Sequence, residues 1–133
     1  MNETSRSRRA WLLLRLVLAG LVAGHGYYRL LQGGSSDFGE WLASQNVPFG
    51  LAVAWAVTWT EVVGSVLLAL GRWVFPVTLL LSAIYAVGLV MVHLPNGWFV
   101  VGAGRNGVEY SVLLIAALLC VGYQHAPAGR KAS

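Results

Sequence analysis

Charge is what this sequence has least of. Of its 133 residues 11% are Asp, Glu, Lys or Arg, where a soluble domain carries about 25%. Meanwhile 57% are hydrophobic, and a domain this short buries only about 60–70% of its unfolded surface, too little to hide so much apolar area. The balance argues against a soluble globule and for a multi-span membrane protein. The single cysteine, Cys120, excludes an intramolecular disulfide. The absence of CxxC, P-loop and dinucleotide-type glycine motifs excludes self-contained nucleotide chemistry and a dithiol cycle. No HExxH or Glu-x-x-His pair occurs, so no metal site is expected. A bis-histidine haem is disfavoured because His25 and His93 differ in depth by about 9 Å at 1.5 Å per residue. The net charge of +4 and pI near 9.7 come from scattered cations without a binding face, so lipid headgroups, not nucleic acid, are the expected partner.

What is present is four apolar runs. They predict an all-α integral membrane four-helix bundle, with spans at about 10–31, 48–71, 73–93 and 108–125, flanked by residues 1–9 and a tail at 126–133. The first run begins at Ala10 and holds Arg15 and His25; a charge at Arg15 speaks against a cleaved signal peptide, whose core is normally uncharged. Pro76 falls in the first turn of the third run, where its missing N–H does little harm.

Basic residues set the expected orientation. Arg6, Arg8 and Arg9 precede the first span, Arg72 lies between the second and third, and Arg130 and Lys131 close the chain, while Asp37, Glu40 and Arg105 fall on the other side, with Arg29 at the outer end of the first helix. The positive-inside rule then places both termini in the cytoplasm.

The first outer connection has the Asp37…Glu40 spacing of a capping box, with Phe38, Trp41 and Leu42 on one face, and predicts a short amphipathic helix on the outer surface of the bilayer. The second, Leu94 to Gly107, mixes Pro95 and four glycines with Trp98-Phe99-Val100-Val101. Backbone that irregular is tolerated at membrane depth only where protein or water satisfies it, so the segment is expected to fold back against the helices. Gly20 and Gly24 make a GxxxG, suited to packing within the monomer or to a homo-oligomer.

Glu61 stands out among the polar residues, because a carboxylate in midspan is expensive unless protonated, paired or hydrated. Thr58 and Ser65 share its stripe and are expected to bond to it or across to a neighbour. By depth, His25, Glu61, His93 and Glu109 fall in the outer half of the bundle, with Tyr28 and Tyr110 flanking, and form the expected proton-handling group. Arg15 either snorkels to the inner headgroups or offers a fixed cation to a quinone carbonyl.

The ordered set GHGYYRL (24–30), EVVGSVLLALGR (61–72), VH (92–93) and WF (98–99) followed by GVEYSVLL (107–114) resembles the DoxX family, over about residues 12–124. The family's His-Gly pair falls on His25-Gly26, its second-helix Glu on Glu61, its third-helix His on His93 and its Glu-Tyr on Glu109-Tyr110. The ending differs: the family's Gly-Pro-Gly and Ser-Leu-Asp are replaced by Ala126-Pro-Ala-Gly-Arg130. The resemblance implies a four-helix, multi-pass protein of the bacterial inner membrane, with relatives linked to quinone-dependent sulfur oxidation or to oxidative-stress complexes. It leaves three functions open. One is a quinone-associated subunit beside a membrane or soluble redox partner, with no intrinsic cofactor beyond a membrane quinone; the others are a non-enzymatic adaptor or assembly factor and a small oligomeric transporter. Whether the chain is itself an enzyme is open at this stage.

Overall fold

A computed structural model describes residues 2–102 and 104–129; Arg130 and Lys131, on which the expected orientation partly rests, lie outside the described residues. Among the described residues the chain is helical, without strands: α1 Glu3–Gln32, α2 Gly34–Ser44, α3 Gly50–Leu70, α4 Val74–Gly88 and α5 Glu109–Gln124. It divides into two compact units at the Arg72–Trp73 bond.

In the first unit α1 and α3 run antiparallel. Leu18, Ala19 and Val22 of α1 and Ala54, Val62 and Leu68 of α3 are buried. Between lipid-embedded helices such burial expels no water, so close van der Waals contact is what holds the pair. Gly26 supplies it: a Cβ there would stand 3.0 Å from Glu61 Cβ and from the backbone nitrogen of Val62. α1 starts earlier than its apolar run, because the side chain of Asn2 accepts from Ser5 N–H at 2.9 Å and caps the helix ahead of the arginines.

α2 corrects two expectations. It exists, but no side chain caps it. The capping box at Asp37 and Glu40 is not formed, because Gly33, at φ +69°, closes α1 and opens α2, which puts Asp37 inside the first turn of α2 instead of at its cap. The helix also packs along α3. Ser35 meets Thr58, hydroxyl to hydroxyl at 3.2 Å; Gly39 lies on the backbone of Leu51, and Gly50 on Gly39 O and Ala43 N. These contacts move towards the N-terminus of α3 as α2 advances. α1 and α2 are thus one run, interrupted at Gly33-Gly34, alongside the length of α3.

In the second unit α4 packs on α5 through Val74, Leu81, Leu114, Leu118 and Val121. Gly122 comes so close to Thr78 that a Cβ would collide with its hydroxyl. The α4 path continues as a π turn, Leu89–His93, and a 3₁₀ turn, Leu94–Asn96. The segment that follows doubles back: Val108 N–H donates to Gly97 O and Glu109 N–H to Trp98 O, each at 3.0 Å. Gly107 fits beneath the carbonyls of Trp98 and Phe99, where any side chain would collide. α1, α3 and the α4 path to Asn96 are long and apolar enough to cross a membrane; α5 is apolar but shorter, at 16 residues.

Candidate functional site

Glu61 stands near the middle of α3, about 16 Å from its start and about 14 Å from its end at 1.5 Å per residue. Its side chain is 1% exposed and forms an ion pair with Arg29. A carboxylate so enclosed needs a counter-charge, and a guanidinium supplies one with directional donors. Arg29 occupies the last turn of α1, where the helix dipole favours a cation. Its guanidinium carbon lies 5.0 Å from the ring centroid of Phe38, which stacks in turn on Trp41 at 6.2 Å between centroids. The amphipathic face of α2 therefore covers the pair with an aromatic surface suited to a cation.

Thr58 and Ser65 are buried on the same stripe as Glu61. Their hydroxyls serve their own helix, Thr58 donating to Ala54 O and Ser65 to Val62 O, both at 2.8 Å. With its proton so used, Thr58 accepts from Ser35 across the helix boundary. The polar set in this unit is thus Arg29, Glu61, Ser35 and Thr58, gathered where the α1–α2 run is broken. In membrane proteins, interrupted helices at midspan commonly mark places where polar ligands are held.

The residues singled out by sequence fare differently. The buried counter-charge to Glu61 is Arg29, which sequence alone places only at the outer helix end; the two chain features that point to it are its position one turn beyond His25 and the Gly33-Gly34 pair just after it. His25 is on the exposed surface of α1, and its Nδ1 donates to Leu21 O at 2.9 Å. Tyr28 is 70% exposed. Arg15 is far down the helix, its guanidinium against Gly71 at the end of α3, about 15 Å along α3 from Glu61. Gly20 and Gly24 meet nothing within 4 Å of where a Cβ would stand, so close packing within the unit falls to Gly26 instead.

In the second unit His93 and Glu109 hold the same segment. His93 Nδ1 donates to Asn106 O at 2.8 Å, which fixes the tautomer and leaves Nε2 as the basic nitrogen. Glu109 Oε1 accepts Val100 N–H at 2.9 Å. Tyr110 follows on α5 and is partly exposed. The π turn at His93 re-aims that side chain relative to the rest of α4, a distortion often found where a helix carries function. Among the described residues no three His, Cys, Asp or Glu side chains cluster as a metal site would require.

The DoxX family model matches residues 10–94, which include Arg15, His25, Arg29, Glu61 and His93 and stop short of Glu109-Tyr110. Comparison with curated proteins and with solved structures gives no match.

Proposed function

The chain belongs to the DoxX family, and on that premise we propose that it is a multi-pass protein of the bacterial inner membrane serving as a quinone-associated subunit of a redox or oxidative-stress complex. The observation that carries this reading is the Arg29–Glu61 pair beneath Phe38 at a break in an apolar helical run. A quinone is apolar except for its carbonyl oxygens. Arg29 offers those oxygens a charged donor, Phe38 and Trp41 offer the ring an aromatic surface, and the carboxylate of Glu61 can exchange a proton. Reduction to the quinol takes two electrons and two protons. The partner's redox centre supplies the electrons; Glu61, His25, His93 and Glu109 are the chain's exchangeable groups for the protons, with Tyr28 and Tyr110 beside them in sequence. Arg15, whose guanidinium lies against Gly71 at the end of α3, is too far along the helix to join this pair.

An adaptor role has one observation in its favour: Trp98, Phe99 and Val101 are more than half exposed on a segment pinned by Glu109 and His93, a rigid apolar surface of the kind that partner proteins use. The two readings separate in one experiment. A photoreactive quinone analogue, added to the protein in nanodiscs and competed with natural quinone, should label residues 26–38. Arg29→Gln should lower the labelling about tenfold, the value of a hydrogen bond to a charged group. Labelling that natural quinone does not compete for would leave the adaptor role standing.

A further inference from the structure

We infer that the N-terminal overhang of α1 and the Gly71-Arg72 turn form a binding site for the phosphate headgroup of an anionic phospholipid. Arg15 marks the level at which α3 ends, since its guanidinium lies against Gly71, on the partly negative C-terminus of that helix. α1 does not end there. It continues for twelve more residues to Glu3, about 18 Å beyond α3.

Helical periodicity decides which side chains overlook the step. The α3-facing stripe of α1 runs through Arg15, Leu18, Ala19, Val22 and Gly26, and its continuation passes through Trp11 and Arg8. Seven residues turn a helix through nearly two full circles, so Arg8 stands over Arg15, about 10 Å further out. Arg6 falls on the opposite face. Arg8 and Arg72 are both exposed; Arg8 belongs to the overhang above the step and Arg72 to the turn at its foot.

The chemistry of the step selects its occupant. Between Arg8 and Arg15, Trp11 and Leu12 fall on this side of α1, and Leu12 is 44% exposed, so apolar surface and cations are interleaved over about two helix turns. A free anion satisfies only the arginines, and hydrocarbon satisfies only Trp11 and Leu12. A phospholipid satisfies both, with its phosphodiester between Arg8 and Arg72 and its acyl chains against Trp11 and Leu12. Of the chain's five acidic residues only Glu3 is on α1, so little competes for these guanidinium groups on that helix.

The test is native mass spectrometry of the intact protein released from nanodiscs of mixed phosphatidylglycerol and phosphatidylcholine. The wild type should retain phosphatidylglycerol in excess of its share in the disc. Arg8→Gln and Arg72→Gln should each reduce the excess about fivefold. Arg6→Gln removes the same charge from the opposite face and should leave the excess unchanged, while Arg8→Lys, which preserves charge and orientation, should retain a part of it. Equal losses in the Arg6 and Arg8 variants would show non-specific attraction and overturn the site. So would a wild type without preference, or full displacement of the lipid by millimolar inorganic phosphate.

Discussion

Gly26 lies flush against α3 at Glu61, with only 3.0 Å between the Glu61 Cβ and the place where a Cβ on Gly26 would stand. That absence of a side chain is what lets Arg29, three residues on, reach the carboxylate from a neighbouring helix. Gly26→Ala should be tight and Gly26→Leu should force the helices apart, at about 1–3 kcal/mol for overpacking. Unfolding by titration with a denaturing detergent will read the loss. Equal stability of Gly26→Leu and wild type would mean that α1 and α3 do not meet here.

The ion pair itself should show strong coupling. Removing one partner leaves a buried charge alone, which typically costs about 3–5 kcal/mol, whereas replacing both leaves no such penalty. Glu61→Gln and Arg29→Gln should therefore each destabilise by more than the double variant does. A double-mutant cycle in which the two changes simply add would refute the pairing.

Glycines at Gly33 and Gly20 should respond with opposite sign. Gly33 takes φ +69°, which a side chain strains, so Gly33→Ala should destabilise by about 1 kcal/mol. Gly20 is helical with open space around it, so Gly20→Ala should stabilise the unit by up to about 1 kcal/mol. If Gly20 and Gly24 form a homo-oligomeric face, Gly24→Leu will shift the protein to monomer in chemical cross-linking while its helix content is unchanged.

Gly107→Ala should open the segment between α4 and α5, because no Cβ fits beneath the carbonyls of Trp98 and Phe99. Amide exchange at Val108 and Glu109, whose N–H groups are bonded to Gly97 O and Trp98 O, should rise sharply. Glu109→Gln should leave that pair protected and affect mainly the N–H of Val100.

The apolar runs, the short link at Gly71-Arg72 and the need of Glu61 for a partner were all legible in the sequence, because they follow from composition and from the free energy of a charge in lipid. Which partner it takes was not. Counting rise along each helix sets the depth of a Cα but not the reach of a side chain, and Arg29, with its long stem, meets Glu61 from beyond the level of His25. The placement of α2 was equally undetermined: Phe38, Trp41 and Leu42 form a face that suits a bilayer surface or a helix. Tertiary contact decided it, since Gly39 and Gly50 let the backbones of α2 and α3 touch, and that contact carries Ser35 to Thr58 and Phe38 to Arg29. His93 and Glu109 were legible as polar residues at helix ends, but their common hold on residues 97–108 depends on a chain reversal that Gly107 permits. Local pattern thus determined which segments are helical and which charges must be answered; the close approaches at Gly26, Gly39 and Gly107 determined what answers them.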